Sequence, residues 1–413
     1  MSHNPAPTAA APWWSKGALM LVAILVMAYN LRPVATEIGP VMSNLQADLG
    51  LSGITAGLLT SLPTICFAIF GFAAPWLATR IGMHRLILVA MLALLVGSVA
   101  RTFTSNQYVF LALSVLALAG MAVGNVLAPS VIRRHFPHQI GLVTALYSLL
   151  LSIGVTVASA FTVPMTIALG GWRQAYLASA VTALLAVIPW LFAIGFDKAN
   201  PQTASAKPAS PITLTSVART PLGWAIAIFF GMQSAQAYSL FGWMPLIYTD
   251  AGMSQTDAGW MLGITTGVGV PLAFLWPAYM QRNPRPITLQ VIIGLCGLAA
   301  YTGLLVAPMT MPWLWATLAA IGTSSFPLIL GLFAMKGRTG AGTVALSGFG
   351  QGAGYAIALF GPFLVGVLYE ATGGWTAPLL LMLAMSLAMS TAGFITVSCG
   401  TIEDELGLAP AKH

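Results

Sequence analysis

Apolar runs long enough to cross a bilayer follow one another along almost the whole chain, and that pattern restricts the architecture more than any other feature. A helix crosses about 30 Å of hydrocarbon with roughly 20 residues. Runs of that size, free or nearly free of charge, read as spans at 17–39, 52–79, 86–103, 108–132, 139–164, 174–196, 221–248, 256–281, 286–307, 312–335, 341–369 and 375–399. In lipid every backbone N–H and C=O must be satisfied within the segment, so the spacing predicts an all-α membrane protein with twelve transmembrane helices. Composition agrees, with 58% of residues hydrophobic and 6% charged, against roughly a quarter charged in a soluble domain. The net charge of +7 raises the question of nucleic acid. The basic residues, however, sit in short loops and form no continuous face, so no nucleic-acid partner is expected.

An even number of spans places both termini on one side, and the loops then divide into two sets. The termini and the even-to-odd loops hold Lys16, Arg80, Arg85, Arg133, Arg134, Lys198, Lys207, Arg219, Arg282, Arg285, Lys336, Arg338 and Lys412, whereas the other set holds Arg101 and Arg173. The positive-inside rule puts both termini in the cytoplasm. The segment Met1 to Ser15 is polar and lacks a positive n-region, so it does not read as a cleavable signal. A multi-pass protein of a bacterial inner membrane is expected, with the lipid bilayer as its surroundings and a monomer as its state.

The chain echoes itself at a nearly fixed offset. Asp48-Leu49-Gly50-Leu51-Ser52 returns 202 residues later as Asp250-Ala251-Gly252-Met253-Ser254, and Ala56-Gly57 returns as Ala258-Gly259. Near the ends of the two copies, Gly170-Gly171-Trp172 is matched by Gly373-Gly374-Trp375. Six helices per copy is an even number, so the copies run parallel and are related by an axis along the membrane normal. The expected organisation is a cytoplasmic tail at 1–16, a six-helix bundle at 17–196, a linker at 197–220, a second six-helix bundle at 221–399 and a tail at 400–413. The linker reads as such because it is rich in Pro, Ala, Ser and Thr.

Twelve spans in a 6+6 pseudo-symmetric arrangement resemble the major facilitator superfamily over essentially the whole chain. Its usual loop signature between the second and third helices is present in degraded form as Arg80-Ile81-Gly82-Met83-His84-Arg85, with Thr79 in place of the acid. By that resemblance Arg80, Gly82 and Arg85 are expected to form a gating loop. Asn30-Leu31-Arg32-Pro33, Gly124-Asn125-Val126-Leu127-Ala128-Pro129, Trp243-Met244-Pro245 and Ser347-Gly348-Phe349-Gly350-Gln351 resemble the cyanate/2-nitroimidazole transporter branch, which implies alternating-access transport of a small solute.

Arg32 lies roughly 22 Å of helix from the start of its span, too deep to reach the interface easily. Such a charge costs several kcal/mol unless it faces a wet cavity or a partner. Its fork of donors suits an anionic or strongly dipolar cargo. A structural role is the competing reading, in which Arg32 bonds Glu37 or carbonyls freed by Pro33; five residues on a regular helix separate the two side chains by about 140°, which argues against the pair. Arg32 is also expected to be the one charge clearly embedded in the membrane. Neutral groups recur at helical spacing around it: Tyr29 and Asn30, Asn125, Tyr147 and Ser148, Gln233, Gln236, Tyr238 and Trp243, and Gln351 with Tyr355. Each could equally make an interhelical hydrogen bond.

Glu37 is the candidate proton carrier, a solvated vestibule residue being its alternative, and His84, His135 and His138 are assigned to loops. Cys66, Cys296 and Cys399 are isolated, with no His at ligand spacing, so neither metal nor disulfide is suggested. The run Gly348, Gly350, Gly352, Gly354 follows no strand and precedes no Lys, and so reads as close helix packing, not a phosphate cradle. No cofactor is expected. The leading expectation is a transporter of a cyanate-like small anion or polar solute, with an exporter of neutral nitroimidazole- or antibiotic-like compounds as the alternative. A membrane enzyme would need a cluster of carboxylate, His or Cys that the spans lack, and a sensor would carry a soluble signalling domain.

Overall fold

In a computed structural model of the chain, residues 16–195, 212–283 and 286–408 are described. Lys198, Lys207, Arg285, Lys412 and most of the expected linker lie outside them. Twelve long helical segments follow in order: α1 (Gly17–Leu49), α2 (Gly53–Ile81), α3 (Met83–Ala100), α4 (Gln107–His135), α5 (Ile140–Leu169), α6 (Trp172–Ala193), α7 (Pro221–Asp250), α8 (Gln255–Arg282), α9 (Ile287–Val306), α10 (Pro312–Lys336), α11 (Gly340–Thr372) and α12 (Thr376–Ser398). Eleven are both long and apolar enough to cross a membrane. The other, α7, is as long but interrupts its apolar run with Gln233, Ser234, Gln236, Tyr238 and Ser239, all buried. Protein surrounds it on most sides, so it has little need of a lipid-compatible face.

Local chemistry sets the helix ends. Ser52, Asn106, Thr220, Ser254 and Thr339 each accept a hydrogen bond from the first turn of the helix that follows, satisfying N–H groups that have no intrahelical partner. Gly170 and Gly373 close α5 and α11 in the left-handed region, at φ 84° and 65°, where a side chain would be strained.

Three helices are interrupted. In α1 the helix stops at Asn30, turns through Leu31 and Arg32, and resumes through a short helix at Pro33–Thr36 and a 3-10 turn at Gly39–Val41. Pro33 and Pro40 have no N–H to continue the ladder. The first span, read from sequence as ending at 39, therefore continues as helix through the more polar Met42–Leu49. α10 breaks at Ser324–Ser325 ahead of Pro327, and α11 breaks at Leu359.

The first six and the last six helices meet along α2 with α11, α5 with α8, and α1 with α7. At one end these contacts are too close for side chains. A Cβ on Gly57 would lie 2.8 Å from the Phe363 carbonyl oxygen, and one on Gly263 would lie 2.9 Å from the Cβ of Ala160. Along α8 the gap then widens, with Thr156 3.4 Å from a Cβ on Gly267 and no other helix within 4 Å of a Cβ on Gly269. On α2, Phe67 still stacks on Tyr355 of α11, whereas Trp76, Arg80 and Ile81 are exposed. The bundle is closed at the end carrying Asp48 and Asp250 and splayed at the end where α1 begins and α12 stops.

The sequence echoes coincide with repeated contacts. The Trp172 indole donates to Asp48 Oδ2 and the Trp375 indole to Asp250 Oδ2, both at 2.9 Å. Each ties the end of one echo to the beginning of the same copy.

Candidate functional site

Where the helices splay, they leave a cavity of about 200 Å³. α1 contributes Arg32 to its lining, α5 contributes Ser152, and α11 contributes Tyr355. The rest comes from α7 (Gln233, Ser234, Tyr238, Phe241), α8 (Thr265, Thr266) and α10 (Thr323, Ser324, Phe326). Among the described residues Arg32 carries the only formal charge in the lining.

The break in α1 delivers that charge. Leu31 and Arg32 lie outside regular helix, and Glu37 N–H bonds Pro33 O at 2.9 Å in the turn that follows. Gly154 of α5 packs directly on the Tyr29 carbonyl, an approach that a larger residue would block. Arg32 Nη1 donates to the Tyr238 hydroxyl of α7 at 3.0 Å, and its guanidinium carbon sits 6.0 Å from the Phe67 ring centroid. Arg32 Nε is buried with no hydrogen-bond partner among the described residues. Only part of the guanidinium's donor capacity is used within the protein, the rest being available to a bound acceptor.

Of the residues expected from sequence to bind cargo, Arg32, Gln233, Tyr238 and Tyr355 line this cavity. Tyr147 and Asn125 lie near it, bonded to each other at 2.9 Å, with Tyr147 within electrostatic reach of Arg32. Ser148 accepts from Ser152 through its carbonyl. The others point elsewhere. Asn30 exchanges hydrogen bonds with Thr182 of α6, and Tyr29 is half-buried outside the lining. Gln236 bonds Met232 O and approaches Met389 of α12. Trp243 donates to Pro362 O beside Tyr369 and Trp375 at the closed end. Gln351 donates to Ser347 one turn back.

In the expected gating loop, Arg80 lies 5.3 Å from the Trp76 ring centroid, Gly82 turns the chain at φ 95°, and Arg85 stands in the first turn of α3. The wall from α10 escaped the sequence reading. Its signal was Thr323-Ser324-Ser325 before Pro327 inside an apolar run, a pattern of polar residues and helix breaker that marks discontinuous membrane helices.

The expectation of one embedded charge is corrected. Arg101, assigned by sequence to a loop, is fully buried and ion-paired with Glu37. Ser179 donates to the other Glu37 oxygen at 3.0 Å, so Glu37 is not a solvated vestibule residue and does not pair with Arg32. His84 is likewise buried, not in a loop, with its Nε2 2.8 Å from that of His135. Charges in apolar surroundings persist when paired, and the partners here lie on different helices. Among the described residues no three His, Cys, Asp or Glu side chains come together to hold a metal.

The family model described as Major Facilitator Superfamily matches residues 18–350. The chain is 33% identical to the Bacillus subtilis transporter YycB, the match covering 91% of this chain and 92% of that one. It is 31% identical to the Escherichia coli 2-nitroimidazole transporter, covering 92% and 95%. It is 28% identical to the Escherichia coli cyanate transport protein CynX, covering 86% and 91%. Among solved structures, a nucleoside transporter superposes with a TM-score of 0.72 at 12% identity, covering 92% of this chain and 99% of that one. A D-xylose-proton symporter superposes with a TM-score of 0.66 at 14% identity, covering 92% and 95%. These two likenesses concern the fold.

Proposed function

Because the chain belongs to the Major Facilitator Superfamily, we propose that it carries a small anionic or strongly dipolar organic solute across a bacterial inner membrane by alternating access. A transporter, not an enzyme, is what the family and the relatives indicate. The observation that carries the cargo reading is the Arg32 guanidinium, set in a cavity whose other lining residues are uncharged and with its Nε unpartnered. A cation would be repelled there, and a second negative charge would find no counterpart.

In this reading the bundles 17–196 and 221–399 rock against each other about the cavity. With both termini cytoplasmic, as the Lys/Arg distribution suggests, the splayed end faces the cytoplasm and the conformation is inward-facing. Arg32 and Tyr238 belong to different bundles, so their hydrogen bond is a place where cargo can compete with a contact between halves.

Uptake of labelled solute into proteoliposomes with an imposed membrane potential tests the proposal. An anion carried alone responds to the potential. Arg32→Ala is expected to abolish transport and Arg32→Lys to reduce it at least tenfold, because an ammonium lacks the planar fork; full transport in either variant sinks the cargo role of the guanidinium. A neutral nitroimidazole-like cargo is the second reading, favoured by the 31% identity to a 2-nitroimidazole transporter and by the neutral lining. Carried alone, such a cargo would move independently of potential.

A further inference from the structure

We propose that the Arg32 cavity selects a planar, single-ring aromatic monoanion, its anionic group held by Arg32, Tyr238 and Tyr355 and its ring by the walls of α7 and α10. This rests on the reading that Arg32 contacts cargo.

Three features of the cavity lead there. First, the donors are arranged for one anionic head. The Tyr238 hydroxyl accepts from Arg32 at 3.0 Å, which leaves its own proton to donate elsewhere. Tyr355 lines the same cavity, and its hydroxyl makes no hydrogen bond among the described residues. With the spare guanidinium N–H groups these form a set of donors suited to the two oxygens of a carboxylate.

Second, the remaining polar groups discourage a second negative charge. Thr265, Thr323 and Ser324 already donate their hydroxyl protons to backbone carbonyls, at 3.0, 2.8 and 2.6 Å, and Ser324 Oγ also accepts from the Trp276 indole at 2.7 Å. An anionic oxygen facing these three hydroxyls would find their protons already given away.

Third, size and shape favour a ring. At about 30 Å³ of liquid per water molecule, the cavity of about 200 Å³ has room for roughly seven. A three-atom linear anion would occupy only a small part of it, whereas a ring with one carboxylate fits within it. The aromatic side chains of the lining are held in place. Tyr355 stacks on Phe67 at 4.9 Å and 9°, and Phe241 stands edge-on to Tyr238 at 5.6 Å. Ala237, Gly269, Ala273 and Ala320 line the cavity with little bulk, leaving room beside the aromatic side chains.

The test uses the purified full-length protein in detergent, with thermal stabilisation measured against sodium cyanate, benzoate, cyclohexanecarboxylate, benzamide and terephthalate. Benzoate is expected to stabilise with a half-saturating concentration at least tenfold below that of cyclohexanecarboxylate, and benzamide, terephthalate and cyanate to have no effect at that concentration. Arg32→Ala should remove the benzoate response, and Tyr355→Phe, which keeps the ring and its stacking, should weaken it severalfold. Stabilisation by cyanate in an Arg32-dependent manner, with benzoate silent, would overturn the aromatic selection while leaving the transport proposal standing. A benzoate response unchanged in Arg32→Ala would remove the shared premise instead. Equal affinity for benzoate and cyclohexanecarboxylate, or silence across the panel, also overturns the inference.

Discussion

Glu37 and Arg101 form an ion pair buried between the broken segment of α1 and the end of α3. The Arg101 guanidinium carbon also lies 4.7 Å from the Tyr176 ring centroid and 5.8 Å from that of Phe110. The Tyr176 hydroxyl donates to Glu37 O at 3.2 Å. Five residues after Arg32, the chain is thereby tied to α3 and α6. The break that presents Arg32 to the cavity is held from behind.

Removing one partner strands the other charge in an apolar interior, at a cost of about 3–5 kcal/mol, whereas replacing both by apolar residues is far cheaper. Arg101→Met and Glu37→Met are each expected to lower the apparent Tm of the purified protein markedly, and the double variant to recover most of the loss. Single variants as stable as the parent would show that the pair contributes nothing.

Glu370, at the end of α11, accepts a hydrogen bond from Ile54 N–H in the first turn of α2 at 2.7 Å. A carboxylate at a helix N-terminus is favoured by the helix dipole, and this one joins the first six helices to the last six. Hydrogen bonds to charged groups contribute about 1.5–3 kcal/mol, so Glu370→Ala should raise the population open at that end roughly tenfold or more. Reaction of a cysteine introduced at Thr60, buried beneath this contact against Gly242, reads it out. Unchanged labelling in Glu370→Ala would dismiss the latch.

Gly39 packs on the Phe241 carbonyl so closely that an added Cβ would collide with backbone. Overpacking of this kind costs typically 1–3 kcal/mol, and here it falls on a contact between α1 and α7. Gly39→Ala is expected to disfavour the splayed form, in which this contact is made, and to slow transport severalfold. Parent-like transport rates would show that the two helices need not approach this closely.

Beyond α12, the short helix Ile402–Glu405 docks on the start of α11. Burial raises the Glu403 carboxyl pKa, but hydrogen bonds from Arg338 N–H, Thr339 N–H and the Thr339 hydroxyl, at 2.9, 2.8 and 2.7 Å, outweigh it and hold the group below its ordinary value. A depressed carboxyl stabilises the fold above its unfolded pKa and loses that contribution as pH falls through the folded value. The stability gap between the parent and Glu403→Gln should be full at neutral pH and shrink below about pH 4. A gap that is independent of pH would contradict this.

Much of the architecture was legible in the sequence. The apolar runs located the spans, and the echo of Asp48 and Trp172 in Asp250 and Trp375 announced two copies before any contact between them was known. α7 was found as well, although its polar residues leave it without a membrane-length stretch as apolar as those of the other eleven. The candidate site was legible in part. Arg32, Gln233, Tyr238 and Tyr355 line the cavity, while Asn30, Gln236, Trp243 and Gln351 sit on the same helices with other partners. Helices that are apolar on nearly every side carry no strong periodicity to say which face looks inward.

Hydrophobicity is summed locally along the chain, and so length, span number, helical state and the cost of burying Arg32 follow from the order of residues alone. Partner choice is not local. Lipid and protein interior are about equally apolar, so transfer free energy does not separate a lipid-facing side from a packed one. Packing between helices distant in sequence decided that Glu37 meets Arg101 instead of Arg32, that Trp243 closes one end, and that Thr323 and Ser324 join Arg32 around one cavity.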